Sequence, residues 1–97
     1  TQCKFGEVFT TDGRIIALDL VLLEDDRQFF PKYNPAITMR KDFAEAHPQV
    51  ADVMAPISAA LTNEEITELN RRVDVEGEEP ADVARDWLVE KGFVTLP

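Results

Sequence analysis

The sequence is poor in the residue types that build catalytic and metal centres. It has one cysteine, Cys3, and one histidine, His47, among 97 residues. Cys3 cannot form a disulfide within the chain, so it is either a buried free thiol, the more common state of a lone cysteine, or the partner of a cysteine on another segment. His47 has no second ligand nearby, and we expect a surface residue at a helix end. Without a phosphate-binding glycine loop, a nucleophile elbow or a zinc spacing, we predict no enzyme, no metal and no cofactor.

Positive charge and long apolar runs are scarce as well. Ten Lys and Arg residues stand against nineteen Asp and Glu residues, which gives a formal net charge of −9. This balance argues against nucleic acid as a partner, because binding to phosphates needs clustered Lys and Arg. No apolar run approaches the roughly 20 residues that cross a bilayer. The acidic run Glu24–Asp26 lacks the spacing of a calcium loop and is expected to be a solvated turn.

The first part of the chain contains signals for short strands and turns. Residues 4–9 are rich in aromatic and β-branched side chains and predict a strand. Thr10–Gly13 is a turn cluster, in which either threonine could cap a helical turn from Arg14 to Ala17. Leu20–Leu23 is apolar throughout, which predicts a strand buried on both faces.

A stiff connector follows at Phe29–Pro35, where three aromatic residues and two prolines stand close together. Pro31 and Pro35 fix their own φ angles and keep the preceding residues out of the helical region. A rigid segment that displays Tyr33 between two unlike halves is where we expect a ligand. Aromatic faces attract cations, above all quaternary ammonium groups, and Phe9 lies at the carboxyl end of a predicted strand, where ligands of α/β sheets bind. On chemistry alone, an aromatic box for a methylated amine is one possibility.

The residues after the connector predict a strand at 36–40 and then helices. Asp42 and Glu45 have the capping-box spacing of a short helix, which Pro48 ends. A further helix begins at Pro48, and Pro56 inside it is expected to cause a kink. Its apolar residues fall on one face: Val50, Val53, Met54, Ile57 and Leu61.

Two more helices complete the predicted run. Thr62 at the N-cap and Glu65 at N3 form a second capping box. The last helix begins at Pro80 and stops at Lys91-Gly92, a cationic last turn followed by a glycine. Trp87 is expected in the core rather than as a ligand platform. The residues predicted on the buried faces are Ile66, Leu69 and Val73 in the first of these helices, and Val83, Ala84, Trp87 and Leu88 in the second.

A resemblance to a known family rests on several segments taken in order. They are Gly6–Ile15, Leu20–Asp26, Phe29–Pro35, Leu61–Glu65, Leu69-Asn70, Val73–Gly77, Pro80 and Val83–Leu88. These segments resemble the substrate-binding proteins of ABC importers for glycine betaine, choline, carnitine and related osmoprotectants. The similarity covers nearly all of the sequence but only the carboxyl-terminal third of such a protein. The resemblance therefore implies that this chain is a fragment.

The resemblance also implies a fold, an α/β periplasmic-binding-protein-like structure (type II) with two lobes that close over a ligand. This chain would be its carboxyl-terminal part, with short strands followed by a helical run. Residues 1–23 would end the second lobe, and residues 24–35 would form the interlobe crossing and the ligand-facing connector. Residues 36–97 would complete the first lobe with a strand and helices. Crossings of this kind absorb the angular change when lobes close.

In this family, aromatic side chains surround the trimethylammonium group of the ligand. By resemblance, Phe9 and Tyr33 are two walls of that cage, and Thr10 and Asn34 beside them are further candidate ligand-binding residues. Phe9 stands where tyrosine is common in the family, which keeps a π face without a hydroxyl, and Lys32 stands where proline is common. The implied partners are a quaternary amine, the ABC permease subunits, and the missing amino-terminal part of the same protein or a second copy of this chain. The implied location is extracytoplasmic: periplasmic or at the cell surface, with membrane association through an anchor or the permease.

Two other functions stay open at this point. The chain could be a small acidic helical module that binds a protein through the helices after Thr62, with Tyr33 purely structural. A small hydrolase that uses the carboxylates is the other, and it has little support. Selective response to trimethylated amines would separate the solute-binding protein from the interaction module, and ligand binding without turnover would exclude the hydrolase.

Overall fold

The computed structural model describes residues 3–97 and contains five helices in that range. They are α1 (Arg14–Ala17), α2 (Lys41–Ala46), α3 (Gln49–Ala60), α4 (Asn63–Asp74) and α5 (Pro80–Glu90). The chain divides into two compact units. Unit 1 contains the described residues up to Val21 together with Ala60–Pro97, and unit 2 is Leu22–Ala59. These units are not the lobes that the resemblance implies, and the lobe boundaries stay a prediction.

The predicted strands at 4–9, 20–23 and 36–40 are not formed within residues 3–97. A strand needs hydrogen bonds to a neighbouring strand, and no segment of the described chain supplies them. The burial predicted for Leu20–Leu23 is wrong for this chain, since Val21 is 86% exposed and Leu23 is 76% exposed. The helical run is therefore confirmed, whereas the strands that would make the fold α/β are not.

The core of unit 1 lies between α4 and α5, and α1 packs against α4 as well. Val83 and Trp87 of α5 are buried, so the prediction that Trp87 belongs to the core is confirmed. The Trp87 indole Nε1–H donates to Glu65 Oε2 at 2.8 Å, which satisfies the one polar group of the ring. The Trp87 ring centre lies 6.0 Å from that of Phe93, just past the end of α5. The rest of the predicted face is less covered: Leu88 is half-buried, as are Ile66, Leu69 and Val73 of α4, whereas Ala84 is exposed.

The ends of α4 and α5 follow the sequence signals closely. Thr62 Oγ1 accepts a hydrogen bond from the Glu65 backbone N–H at 3.3 Å, as the first half of a capping box requires. The second half is not made, because the Glu65 carboxylate binds α5 instead. The predicted stop of α5 is confirmed: Gly92 has φ of 77°, and the N–H groups of Gly92 and Phe93 donate to the carbonyls of Val89 and Leu88.

Two helix starts differ from the predictions. The helical turn Arg14–Ala17 is confirmed, but neither threonine caps it; Asp12 Oδ1 instead accepts from the Arg14 backbone N–H at 2.9 Å. The N-cap of α2 is Arg40 and makes no side-chain cap hydrogen bond, so the capping box predicted at Asp42 is wrong. Asp42 lies in the first turn of α2, where a carboxylate is favourable next to the helix dipole without acting as a cap.

Unit 2 has no buried side chain among its residues. Its helices α2 and α3 are separated at His47 and Pro48, as predicted, and α3 continues through Pro56. The apolar face predicted for α3 is at most half-buried, and Val53 on it is 63% exposed. Hydrophobic side chains of this size are usually covered in a folded domain, so unit 2 presents an apolar surface without a partner inside the unit.

The lone cysteine and histidine are both on the surface. Cys3 is exposed and free, so the burial expected for it is wrong, whereas pairing with another segment is untested. His47 is exposed at the carboxyl end of α2, as expected, and its ring centre lies 4.6 Å from that of Phe43. No helix within residues 3–97 is long and apolar enough to cross a membrane.

Candidate ligand-binding site

The first candidate residues, Phe9 and Thr10, lie in a tight turn of unit 1. The Asp12 backbone N–H donates to the Phe9 carbonyl at 3.1 Å and closes the turn. The Asp12 carboxylate also accepts from the Arg14 side chain, at 2.9 Å from Nε and 2.5 Å from an Nη atom. These hydrogen bonds from Arg14 lower the pKa of Asp12 to about 2, so the carboxylate is ionised at neutral pH. Phe9 itself is 73% exposed.

Two side chains of α4, to which the sequence analysis gave no structural role, contact the backbone of this turn. Asn70 Nδ2 donates to the Thr11 carbonyl at 2.7 Å. Thr67, the buried polar residue of α4, donates its Oγ1–H to the Asn63 carbonyl at 2.6 Å, and the same oxygen lies 3.4 Å from the Thr10 carbonyl. The backbone of Thr10 is therefore a structural contact, while its side chain lies on the exposed surface beside Phe9.

Gly13 allows α1 and α4 to approach each other closely. A Cβ placed on Gly13 would lie 2.7 Å from the carbonyl carbon of Asn70 and closer still to the Arg71 backbone, so no larger residue fits without a shift. The signal in the sequence was the glycine in a turn cluster. The glycine is needed because it contacts a helix more than fifty residues away in the chain, and a local sequence pattern does not show such a contact.

The second candidate residues, Tyr33 and Asn34, lie in the connector of unit 2. Tyr33 is 78% exposed, and Asn34 is exposed as well. The rings of Phe29 and Phe30 meet edge to face, with centres 5.1 Å apart. An open depression of about 390 Å³ is lined by four residues of this region: Asp25, Gln28, Phe30 and Lys32.

The acidic turn before the connector is exposed, as predicted, and its middle carboxylate also binds the backbone. The Asp25 carboxylate accepts from two consecutive backbone N–H groups, those of Phe29 at 3.0 Å and Phe30 at 2.8 Å. The hydrogen bonds from Phe30 and Phe29, in that order of size, lower the pKa of Asp25. The prediction of a solvated turn at Glu24–Asp26 did not include these hydrogen bonds from the backbone to the Asp25 carboxylate.

The predicted site residues thus form two pairs: Phe9 with Thr10 in unit 1, and Tyr33 with Asn34 in unit 2. Each pair lies next to a turn in which an aspartate carboxylate accepts hydrogen bonds from the backbone: Asp12 in unit 1 and Asp25 in unit 2. Among residues 3–97, no three His, Cys, Asp or Glu side chains cluster in a way that could hold a metal ion. The site chemistry that the described residues offer is therefore aromatic surface flanked by hydroxyl and amide groups.

The charged surface of α4 and α5 is largely paired within itself. Arg71 binds Glu68 and Glu76, and Arg72 binds Glu78 and Asp86. These carboxylates raise the pKa of both guanidinium groups, so both arginines stay charged. The carboxylates that an acidic interaction module would present to a partner are thus partly neutralised by the chain itself.

Comparison with known proteins identifies the class. Residues 1–90 match the family described as the substrate-binding domain of the ABC-type glycine betaine transport system. The chain belongs to this family, and the resemblance drawn from its segments is confirmed. Members of such a family bind a solute and do not transform it, which agrees with the prediction that the chain is not an enzyme. The family implies a periplasmic-binding-protein-like fold.

Several relatives are similar over most of this chain. A glycine-betaine-binding protein of Pseudomonas aeruginosa is 43% identical over 92% of the chain, and this region is 29% of that protein. An ergothioneine transport permease/ergothioneine binding protein of Helicobacter pylori is 36% identical over 90% of the chain, which is 16% of its own length. A carnitine transport binding protein of Listeria monocytogenes is 31% identical over 88% of the chain and 28% of its own length. The chain therefore spans less than a third of the relatives that it matches.

Proposed function

We propose that this chain is the carboxyl-terminal part of the solute-binding component of an ABC importer, and that its solute is a quaternary ammonium osmoprotectant of the glycine betaine, choline or carnitine type. Phe9 and Tyr33 would be two walls of an aromatic cage around the trimethylammonium group. Thr10 and Asn34 would lie beside them as polar contacts. The remaining walls and most groups for the tail of the ligand would come from the rest of the protein.

The physical basis is the chemistry of the ligand head group. A trimethylammonium carries a full positive charge but no N–H, so hydrogen-bond acceptors cannot hold it directionally. Aromatic faces attract such a cation through their quadrupole and through dispersion, and each desolvated contact contributes roughly 0.5–2 kcal/mol. Two rings from this chain and others from the rest of the protein would therefore give selectivity for methylated over unmethylated amines.

The observation that carries the proposal is that the two rings which the family resemblance assigns to the cage are both accessible in this chain. Phe9 is 73% exposed and Tyr33 is 78% exposed, whereas Trp87 is only 5% exposed. Trp87 is used for the core, but most of the surface of Phe9 and Tyr33 stays accessible. Glycine betaine, carnitine and ergothioneine, which occur in the names of the relatives, all carry a trimethylammonium group, and this common chemistry supports the class of ligand rather than one compound.

The proposal includes partners and a location. Closure of two lobes over the ligand would enclose the cation, and the closed form would deliver it to the permease subunits. The missing strands would be supplied by the amino-terminal part of the protein, or by a second copy of this chain. Such a protein works outside the cytoplasm, in the periplasm or at the cell surface, associated with the membrane through an anchor or through the permease. The small interaction module is not favoured by any comparison.

The test is a calorimetric titration of the longest chain that the gene encodes with glycine betaine, choline and dimethylglycine. We expect binding of the two trimethylated compounds and weaker binding of dimethylglycine. Tyr33→Ala should lower the affinity by about tenfold, because the loss of one desolvated cation–π contact changes the binding free energy by about the amount that corresponds to a factor of ten. Phe9→Ala is expected to act in the same direction.

Phe29→Ala is the matched control, because Phe29 is an equally exposed ring of the same connector, at 81%. It should leave the affinity unchanged, and Tyr33→Phe should retain most of it. Absence of binding, or an affinity indifferent to both Tyr33→Ala and Phe9→Ala, would refute the cage and leave only the family.

A further inference from the structure

The Asp25 carboxylate makes a two-point contact with the chain ahead of it, which we call the Asp25 clasp: Oδ1 with the Phe29 N–H and Oδ2 with the Phe30 N–H. The Asp25 carbonyl also accepts from the Gln28 N–H at 3.1 Å. Three successive amides, 28 to 30, are thus bound by one residue. Hydrogen bonds to an ionised carboxylate are shorter and stronger than those between neutral groups.

The turn at residues 25–30 gains little stabilisation from the packing of its aromatic side chains. Phe29 and Phe30 are 81% and 62% exposed, so their packing against the rest of the unit is limited. Gln28 adopts φ of 51°, a left-handed conformation that costs energy for a residue with a Cβ and occurs where surrounding contacts enforce it. The Asp25 clasp supplies that enforcement, because it binds the two residues that follow Gln28.

The segment between the Asp25 clasp and Tyr33 is stiff, so the backbone conformation at Phe29 and Phe30 influences the orientation of Tyr33. Phe30 lies directly before Pro31, which restricts the backbone of Phe30 and fixes its own φ. Only Lys32 separates Pro31 from Tyr33. With the Phe29 and Phe30 amides bound and φ of Pro31 fixed by its ring, fewer backbone torsions are free between the clasp and Tyr33 than in an unrestrained segment of the same length.

We propose that Asp25 is a positioning residue for ligand binding, which fixes the Phe29-Phe30-Pro31 backbone through the Asp25 clasp and thereby aims Tyr33 at the cation. This inference rests on the proposed function, in which Tyr33 is a wall of the cage. Asp25 itself does not touch the ligand. Its contribution is preorganisation: a ring already held in the binding direction loses less conformational entropy when the ligand arrives.

The test is a double-mutant cycle that measures the affinity for glycine betaine. It compares the longest chain that the gene encodes with its Asp25→Asn, Tyr33→Ala and double variants. Asparagine has one acceptor oxygen, so Asp25→Asn retains one half of the clasp at most and loses the charge. We expect Asp25→Asn to weaken binding by about tenfold, as hydrogen bonds to charged groups suggest. The same substitution should have little effect in the Tyr33→Ala background, because its action passes through the tyrosine. Asp25→Ala removes both hydrogen bonds and should weaken binding further. Its effect should likewise be small in the Tyr33→Ala background.

Asp26→Asn is the matched control, since Asp26 is the next carboxylate of the same turn and makes no hydrogen bond or ion pair within residues 3–97. We expect this variant to bind glycine betaine with unchanged affinity.

If Asp25→Asn leaves binding intact while Tyr33→Ala weakens it, the inference is overturned and the cage stands. Equal losses in both backgrounds would likewise overturn it, because Asp25 would then act independently of Tyr33. If Tyr33→Ala has no effect, the place of Tyr33 in the site is refuted and the inference is overturned with it. Thermal midpoints of all variants separate these outcomes from a general loss of folding.

Discussion

Unit 1 and unit 2 of this chain are about equally rich in hydrophobic residues, but only unit 1 buries any of them. Val83 and Trp87 form its core, with Thr67 buried beside the turn that carries Phe9. Unit 2 has no buried side chain, although Val21 at the boundary and Leu23, Phe29 and Val53 within it are large and apolar. The difference shows which apolar residues are used within this chain and which are available for contacts beyond it.

The cause lies in the helices of each unit. α4 and α5 carry apolar and charged residues on different faces, and a network of ion pairs and the Glu65–Trp87 hydrogen bond joins them. α2 and α3 have no comparable partner within unit 2. A helix with an apolar face gains most of its stability from covering that face, so unit 2 depends on contacts with other segments.

The largest effect that we expect concerns the chain on its own. With so much apolar surface in unit 2, residues 1–97 expressed alone should associate rather than remain a compact monomer. Light scattering at several concentrations measures this directly. Val53→Ser, in unit 2, should reduce the association, whereas Leu96→Ser, which is also exposed but lies in unit 1, should not. A compact monomer over the whole range would contradict the comparison.

Removal of the core ring should affect unit 1 strongly. We expect Trp87→Ala to lower the free energy of unfolding by about 3–5 kcal/mol, because it leaves a cavity and removes one of the two side-chain hydrogen bonds of the Glu65 carboxylate. Urea unfolding of residues 1–97, at concentrations below those at which the chain associates, is followed by circular dichroism and gives the value. Phe29→Ala is the comparison in unit 2 and should change it by no more than about 0.5 kcal/mol. Similar losses for both rings would mean that the two units do not differ as described.

The contact between α1 and α4 should be sensitive to a single methyl group. Gly13→Ala places a Cβ against the Arg71 backbone, and overpacking of this kind costs about 1–3 kcal/mol. Gly6→Ala is the control, since a Cβ there has no neighbour within 4 Å. Thermal unfolding of the two variants should separate them clearly. Because Gly13 supports the turn of Phe9, its variant is also expected to bind ligand more weakly.

The smallest effect concerns pH. Hydrogen bonds from Lys91 and Trp87 lower the pKa of Glu65 from its ordinary value of 4.5, so this contact stabilises the folded state fully above pH 4.5. The contribution is lost as the pH falls through the lower pKa of the folded protein. Glu65→Gln should reduce stability at neutral pH and flatten its fall below pH 4.5. Glu64→Gln, at an exposed neighbour without an ion pair among residues 3–97, should leave the profile unchanged.

Much of the helical part of the fold was predictable from sequence because its signals are local. Thr62 before Asn63, Pro80 at a first turn and Gly92 after a last turn each act within four residues of themselves, and all three predictions are confirmed. The predictions at Thr10 or Thr11 and at Asp42 were wrong, because several nearby polar residues could serve as caps and the sequence does not distinguish among them. The pairing of the predicted strands depends on distant segments, so local pattern could not test it.

The candidate site divides in the same way. Family membership and the choice of Phe9 and Tyr33 came from segments of sequence, and their role in binding stays a proposal until the titration is made. What the sequence did not indicate are the supports: Asn70 and Thr67 under the first turn, and the two-point contact of Asp25 with the second. A side chain that binds backbone has no characteristic spacing, and its partner is known only once the chain is folded.

The sequence by itself determined the ends of α4 and α5, the acidic charge, the stiff connector and the family, because each depends on residues close together or on an ordered set of motifs. Only the tertiary structure decided which apolar residues are buried. Val83 and Trp87 of α5 meet α4, while Val53 of α3 meets no such partner, although all three lie on apolar faces of predicted helices. Burial is a property of two surfaces in contact, and a sequence pattern describes only one of them.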